Sequence, residues 1–326
     1  MRVESSRGYA MSNAKFVTAA DAMGDWRDNV LSGKPPKFYR VGDGELSRIE
    51  VAPKQITLVG GAPGAGKTAF TMQCVIDALR LTPTLRAVVC NIEMSADVLL
   101  DRQLARLSGV SLETIRYRRI AEHQAERIDA AMNSLEELGE RLCFVRPPFD
   151  LGNIAATADE FAPLINGNDL LIVLDYIQRI APPGVHGDKR GSIDASMNFL
   201  RQFADAGAAL LVIASVGRTK DAKGRSSYDS DSLDLASFKE SGELEFGADD
   251  AFILVPCKEA KGVRTLKHLK SRHGECRDLH LRFDGARQSF EPIATPEQNQ
   301  QPGGLTSALS DLWERTEPSG GREWQP

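Results

Sequence analysis

The most informative segment of the sequence is Ile56–Phe70, ITLVGGAPGAGKTAF. It contains the pattern GxxxxGK[ST], from Gly61 to Thr68, between an apolar run and a segment, Ala69–Leu79, whose composition suits a helix. A strand, a glycine-rich loop and a helix in this order form a phosphate-binding loop, because backbone N–H groups and the helix N-terminus then face the phosphates. The sequence therefore predicts a nucleotide site.

Each residue type in this loop has a chemical role. The glycines let the backbone turn toward a phosphate, Lys67 reaches the β- and γ-phosphates, and the Thr68 hydroxyl binds Mg²⁺. We therefore expect ATP and Mg²⁺ as cofactors. The predicted cofactor-binding residues of the loop are Gly61, Ala62, Pro63, Gly64, Ala65, Gly66, Lys67 and Thr68.

Two acidic residues follow apolar runs farther along the chain. Asp175 ends the run that begins at Leu170, where a buried strand would deliver a carboxylate to the metal beside the phosphates. Glu93 follows the run Ala87–Ile92 and is the candidate for orienting the attacking water. Each has a plainer alternative, since an aspartate at a strand end is a common turn residue and Glu93 could simply open a helix that Ser95 caps. The phosphate loop favours the metal role for Asp175.

Short apolar runs alternate with helical segments from residue 55 onward. Continuous apolar runs are typical of parallel strands buried on both faces, so we expect an α/β fold with a mostly parallel central sheet flanked by helices. Val263–Lys270 and Asp278–Phe283 interleave apolar and polar residues, which predicts a C-terminal β-hairpin. The runs predicted as parallel strands are Ile56–Val59, Ala87–Ile92, Leu142–Val145, Leu170–Asp175, Ala209–Ser215 and Ala251–Val255.

The chain divides by composition into three predicted parts. Residues 1–50 form an N-terminal extension with one linker-like helix, because apolar residues recur at helical spacing within Ala19–Leu31. Residues 51–292 form the nucleotide-binding domain. Residues 293–326 are polar and are predicted to be a disordered tail.

Composition excludes several classes of protein. The chain has 40 Lys and Arg against 45 Asp and Glu, a net charge of −5, so no global basic field would attract nucleic acid. This argues against a histone-like coat and leaves open a local basic surface such as the lining of a channel. The longest apolar runs fall far short of the ~18 residues that span a bilayer. The N-terminus lacks the apolar core of a secretory signal, and the cysteines form no CxxC pair. We therefore expect a cytoplasmic protein with no membrane partner.

Taken together, these segments resemble the C-terminal motor domain of DnaB-type replicative helicases, a RecA-like P-loop NTPase domain. NIEMSADVLLDRQLARLSGV (91–110) is similar to the family's SLEM segment and the helix after it, which implies that Glu93 is catalytic. LIVLDYIQRI (171–180) is similar to the family's Walker B run ending in DYLQ. That likeness implies a metal role for Asp175 and cofactor binding by Gln178.

A third segment, FKESGELEFGADDAFIL (238–254), is similar to the family's RESG-x-I-E-x-x-AD stretch. The resemblance implies that Lys239, Glu240 and Gly242 contact single-stranded DNA, with lysine in place of the usual arginine. The alternative for Lys239 is an exposed loop lysine with no such role.

A fourth segment, HLKSRHG (268–274), resembles the family's K-x-R-x-G hairpin. The resemblance implies that Lys270 and Arg272 enter the ATP site of the neighbouring subunit. An arginine at a hairpin tip cannot easily fold back onto its own phosphate loop, which agrees with delivery in trans. The alternative is a solvated basic edge that discourages strand pairing.

The sequence departs from the family at three places, one of which is the C-terminal tail, for which no counterpart is recognised. The family has a glutamine sensor after the serine that ends its next strand, whereas here Ser215 is followed by Val216, whose side chain cannot hydrogen-bond. The family's N-terminal helical domain has no counterpart, since about fifty residues precede the motor. These departures suggest a minimal, accessory or mobile-element version.

The resemblance implies a ring-forming, hexameric ATP hydrolase that moves on single-stranded DNA in replication, with a loader or primase as further partner. The rival hypothesis is a RecA-like assembly or regulatory ATPase that does not unwind DNA, and both Val216 and the missing N-terminal collar domain favour it. A nucleoside kinase with the same loop is weaker, because it explains neither Glu93 nor the basic hairpin.

Overall fold

The computed structural model describes residues 16–33, 35–163, 169–182, 189–217, 219–220, 226–227, 233–238, 242–257 and 260–293. The chain divides into two units, residues 1–37 and residues 38–326. In the first unit, helix α1 (Ala19–Leu31) begins where the periodicity predicts a helix, after a capping box between Thr18 and Asp21. Within the described part of the chain, no helix is both long enough and apolar enough to cross a membrane.

The second unit alternates helices and strands. Its helices are α2 (Lys67–Leu81), α3 (Ala96–Ser108), α4 (Leu112–Arg116), α5 (Ala125–Glu136), α6 (Leu151–Phe161), α7 (Lys189–Asp205) and α8 (Gly242–Gly247). Its strands are β1 (Ile56–Gly61), β2 (Leu85–Asn91), β3 (Leu142–Phe144), β4 (Asp169–Asp175), β5 (Ala209–Ile213), β6 (Thr219–Lys220), β7 (Ser226–Ser227), β8 (Asp250–Pro256), β9 (Val263–Ser271), β10 (Leu279–Asp284) and β11 (Ser289–Pro292).

One large sheet organises this unit. Among the described residues its strand order is β11-β10-β9-β8-β1-β5-β4-β2-β3. The strands from β8 to β3 in this order are parallel, and β9, β10 and β11 are added antiparallel. The predicted α/β class, parallel sheet and C-terminal hairpin are therefore confirmed. Strand β11 extends that hairpin and was not expected from the sequence.

Both faces of the sheet are buried, as the continuous apolar runs predict. Along β4, Val173 belongs to a core shared with Phe70 of α2, whereas Ile172 belongs to a core shared with Ile154 of α6 and Leu200 of α7. This alternation follows from the period of two in a strand. Helices on both faces leave the strand ends as the accessible part of the sheet.

The two edges of the sheet, meaning the C-terminal ends and the N-terminal ends of its parallel strands, carry different residues. The C-terminal ends of β1, β2 and β4 meet at one edge, because Asn91 pairs with Asp175 in the parallel register. At the other edge, Asp250 of β8 lies opposite Thr57 of β1 and opposite Ser271 of β9. Strand β1 has six residues, so at ~3.3 Å per residue the edges are about 17 Å apart.

Candidate nucleotide site

The phosphate loop connects β1 to α2 through two glycines with left-handed backbone. Gly64 has φ +77° and Gly66 has φ +103°, conformations that a residue with a Cβ rarely adopts. A Cβ at Gly66 would also lie 2.8 Å from a ring atom of Phe290 in β11. These constraints place the start of α2, with its N-terminal N–H groups, beside the end of β1.

Lys67 begins α2 and lies over the loop. Its Nζ donates hydrogen bonds to the carbonyl oxygens of Gly61 at 2.8 Å and Ala62 at 3.1 Å. Burial lowers the pKa of the Lys67 ammonium, and the carboxylates of Asp175 and Glu93 partly oppose that change. The ammonium is therefore a partly desolvated cation beside the loop backbone.

Asp175, at the end of β4, forms hydrogen bonds both with the phosphate loop and with β2. Its Oδ2 accepts a hydrogen bond from the Thr68 hydroxyl at 2.6 Å and another from the Asn91 amide at 2.7 Å. Burial raises the pKa of the Asp175 carboxyl, and the hydroxyl of Thr68 partly offsets this rise. An adjacent hydroxyl and carboxylate are hard oxygen donors, and Mg²⁺ is usually held by one or two such ligands together with substrate phosphates. The residues present therefore fit Mg²⁺.

Asn91 also shapes the turn that presents Glu93. Its Oδ1 accepts the backbone N–H groups of Glu93 at 3.0 Å and Met94 at 2.7 Å. The family's SLEM pattern has serine at this position, and the longer asparagine reaches both the turn and Asp175. Glu93 itself is exposed and faces the cavity beside the phosphate loop.

A cavity of about 460 Å³ brings together half of the predicted cofactor-binding and catalytic residues, along with the predicted metal ligand Asp175. Gln178 is not among the described residues that line it. Both ends of the Gln178 amide are bound by the backbone of Ser215, with Nε2 donating to the carbonyl and Oε1 accepting from the N–H. Cofactor binding by Gln178 therefore stays a prediction from the resemblance alone. The lining residues are Pro63, Gly64, Gly66, Lys67, Thr68, Ala69, Glu93, Met94, Arg102, Asp175, Tyr176, Ser215, Phe283 and Gln288.

Sequence reasoning missed Arg102 of α3. Its Nε is buried without a hydrogen-bond partner among the described residues, and burial lowers the pKa of the guanidinium. Buried Leu99 and Gln103 lie three positions before it and one after it, so Arg102 lies beside the inward stripe of an amphipathic helix. The sequence feature that could have identified Arg102 as a site residue is an arginine beside such a stripe, nine residues after Glu93.

Lys270 and Arg272 lie at the other edge of the sheet. Lys270 Nζ donates to the carbonyl of Phe246 at 3.1 Å, and the Arg272 guanidinium donates to the same carbonyl at 3.5 Å. With about 17 Å of β1 between the edges, Arg272 cannot reach the phosphate loop of its own chain.

The predicted DNA-binding residues are only partly described. Lys239 and Glu240 lie outside the described residues. Gly242 is the first residue of α8, and the carbonyl of Phe246 near the end of that helix is the group that Lys270 and Arg272 contact.

A phosphate loop on β1, a carboxylate from β4 bonded to the loop threonine and a glutamate after β2 define a P-loop nucleotide-binding protein of RecA-like architecture. The model of the DnaB-like helicase C terminal domain matches residues 50–292 of this chain. The chain therefore belongs to that family, and the resemblance seen in the motifs is confirmed.

Two relatives illustrate the likeness. The chain is 23% identical over 248 residues to "Replicative DNA helicase DnaB" of Buchnera aphidicola subsp. Baizongia pistaciae, covering 73% of this chain and 52% of the relative. It is 22% identical over 282 residues to "Probable plasmid replicative DNA helicase" of Chlamydia muridarum, covering 86% of this chain and 59% of the relative. The chain thus spans little more than half the length of these relatives.

Two solved structures share the fold. A separately solved ATPase domain superposes with a TM-score of 0.74 at 16% identity, covering 85% of this chain and 99% of that one. The solved structure "The Structure Of A DnaB-Like Replicative Helicase And Its Interactions With Primase" superposes with a TM-score of 0.73 at 17% identity, covering 86% of this chain and 68% of that one. Family membership favours the helicase hypothesis over both rivals.

Proposed function

We propose that the chain is a helicase motor that hydrolyses Mg-ATP, assembles as a ring of six subunits and moves along single-stranded DNA in replication. Family membership supports the class of enzyme. The observation that carries the proposal is the position of Lys270 and Arg272, at the sheet edge opposite their own phosphate loop. A subunit of this shape offers a nucleotide site at one edge and cations for a neighbour's site at the other.

Each residue of the cavity has its own proposed role in ATP hydrolysis. Lys67 would leave the loop carbonyls for the β- and γ-phosphates, and the loop N–H groups would face the same phosphates. Thr68 and Asp175 would hold Mg²⁺, which when bound neutralises charge on the phosphate oxygens. Glu93 would orient the attacking water, in a turn that Asn91 fixes.

The neighbouring subunit would complete the site. Arg272, supported by Lys270, would donate to the phosphoryl oxygens as their charge grows in the transition state. An arginine supplied in trans contributes about 10³–10⁵ in rate in related enzymes, so hydrolysis would depend on assembly.

DNA would be held by the segment that contains Lys239, Glu240 and Gly242. Phosphate contacts from such a segment release counterions, which makes binding weaken as salt rises. A loader or a primase is a further proposed partner of the ring, and the cytoplasm is its proposed compartment.

The test is ATP hydrolysis by the purified protein with and without single-stranded DNA, across a series of salt concentrations. We expect stimulation by the strand that fades as salt rises, and a loss of about 10²–10⁴-fold in Glu93→Gln. Glu93→Gln keeps the size of an exposed side chain, so it is also the folding control. Hydrolysis that ignores DNA at every salt concentration would instead support the RecA-like assembly ATPase.

A further inference from the structure

Asp249, just before β8, is a buried carboxylate with partners on three separate elements. Its side chain is 3% exposed, its Oδ2 accepts from the backbone N–H of Ile56 at 2.8 Å and from Arg201 at 3.1 Å, and its Oδ1 forms an ion pair with Arg272 Nη1 at 2.7 Å. A buried carboxylate is tolerated when it is paired with cations and hydrogen-bonded, and Asp249 has hydrogen bonds at Oδ2 and an ion pair at Oδ1.

The contacts hold Arg272 by its backbone and by its side chain. The Arg272 N–H donates to the carbonyl of Asp249 at 2.9 Å, while the guanidinium bonds the Asp249 carboxylate and approaches the carbonyl of Phe246. The Arg272 side chain nevertheless remains 46% exposed. A guanidinium has five N–H groups, so one anchored through two of them still presents donors outward.

We infer that Asp249 is the positioning residue of the arginine that each subunit supplies to its neighbour. This inference rests on the proposed function, because it takes Arg272 to act in trans. Asp249 fixes the guanidinium before the subunits meet, so that less rotamer freedom is lost when Arg272 engages the neighbour's phosphates. Because its side chain is only 3% exposed, Asp249 would act through Arg272 rather than on the phosphates directly.

Asp249→Asn tests the inference with the smallest change of shape. The asparagine has one acceptor oxygen, which can serve either Arg272 or the pair formed by Ile56 and Arg201, but not both. We expect the kcat of the uniform assembly to fall about 10–10²-fold, with the KM for ATP nearly unchanged, because the chain's own loop is intact. Asp249→Glu keeps the charge but displaces the guanidinium, and it serves as the second variant if the asparagine variant does not fold.

The alternative is damage in cis, since Asp249 also binds Ile56, where the strand leading to the phosphate loop begins. Mixed assemblies separate the two effects. Subunits with Lys67→Ala have no working site of their own but present a normal Arg272, and these are mixed in increasing proportion with Asp249→Asn subunits. A trans defect is repaired as more Asp249→Asn sites receive a normal arginine, so kcat per Asp249→Asn subunit rises toward the wild-type value. A cis defect is not repaired.

Arg272→Ala mixed with Lys67→Ala is the matched reference, and it should show the same rise. Arg201→Gln removes the other arginine from Asp249 and controls for disturbance of the buried cluster; it should retain hydrolysis. If Arg272→Ala is repaired and Asp249→Asn is not, or if Asp249→Asn alone is as active as wild type, the role of Asp249 is refuted. If Arg272→Ala is not impaired, or is not repaired, the trans arrangement of the proposed function fails as well.

Discussion

Replacing Asn91 by alanine removes a buried side chain that connects the turn containing Glu93 to Asp175, the carboxylate proposed to hold Mg²⁺. Three hydrogen bonds are lost, two from the N–H groups of Glu93 and Met94 and one to Asp175. A neutral bond contributes ~1 kcal/mol and one to a charged group ~2 kcal/mol, while water can replace the partner of the exposed Glu93. We therefore expect the free energy of unfolding to fall by about 2–3 kcal/mol.

The same change should reduce turnover, because Glu93 loses the side chain that fixes its turn. A displacement of about 1 Å costs on the order of 10²-fold in rate, which is the expected loss in kcat. Urea unfolding and steady-state ATP hydrolysis measure the two effects on one preparation. Glu93→Gln is the matched control, since it should lose turnover while the urea midpoint stays at the wild-type value.

Asn91→Asp separates the two functions of this residue. Its carboxylate can still accept the N–H groups of Glu93 and Met94, but its other oxygen would face the Asp175 oxygen across the present 2.7 Å. Two carboxylates this close share one proton, so the variant should lose stability progressively as pH rises above about 4, and more steeply than Asn91→Ala, in which Asp175 loses only a hydrogen bond that lowers its pKa. The reasoning fails if Asn91→Ala unfolds and turns over like wild type, or if both variants show the same pH profile.

Two further predictions concern the loop and its carboxylate. Because burial raises the pKa of Asp175, the unfolded chain gives up this proton at a lower pH than the folded one, and stability falls as pH rises between the two pKa values. Asp175→Asn should therefore abolish hydrolysis yet unfold at higher urea than nucleotide-free wild type at pH 7, with the difference shrinking toward pH 4; a constant difference would contradict this sign. Gly66→Ala should cost more stability than Gly64→Ala, by about 1–3 kcal/mol, because both strain a left-handed backbone but only Gly66 faces the ring of Phe290. Equal urea midpoints for the two variants would show that this ring yields freely.

Much of the fold follows from local patterns. The strand before the loop, the run that ends at Asp175 and the helix at Ala19–Leu31 all lie where the sequence places them. Apolar continuity identifies a strand buried on both faces, and a glycine-rich loop needs no tertiary information to be recognised. Parallel strands also bring their C-terminal ends together, so Glu93 and Asp175 share the predicted edge.

The rest depends on contacts between distant parts of the chain. Asp249 accepts from Ile56, Arg201 and Arg272, which are far apart in sequence and become neighbours only through the strand order. The residue type of Arg102 alone suggests an exposed side chain, and only the packing of α3 buries its Nε and makes the residue part of the cavity lining. Side-chain networks of this kind are properties of the folded sheet, which a pattern of residue types does not encode.

Val216, which stands where the family has a glutamine, makes apolar contacts in the structure. Val216 is buried, and its backbone forms an antiparallel bridge with Phe238. Both side chains lie so close to Gly60 that a Cβ there would be 2.6 Å from the ring of Phe238 and 3.0 Å from Val216. Gly60 precedes the phosphate loop, and Phe238 precedes Lys239, the first of the predicted DNA contacts. Because packed interiors transmit strain rather than absorb it, a movement of either segment would be felt by the other. Where the family has a glutamine that can hydrogen-bond, Val216 therefore packs as an apolar side chain against Gly60, beside the ring of Phe238.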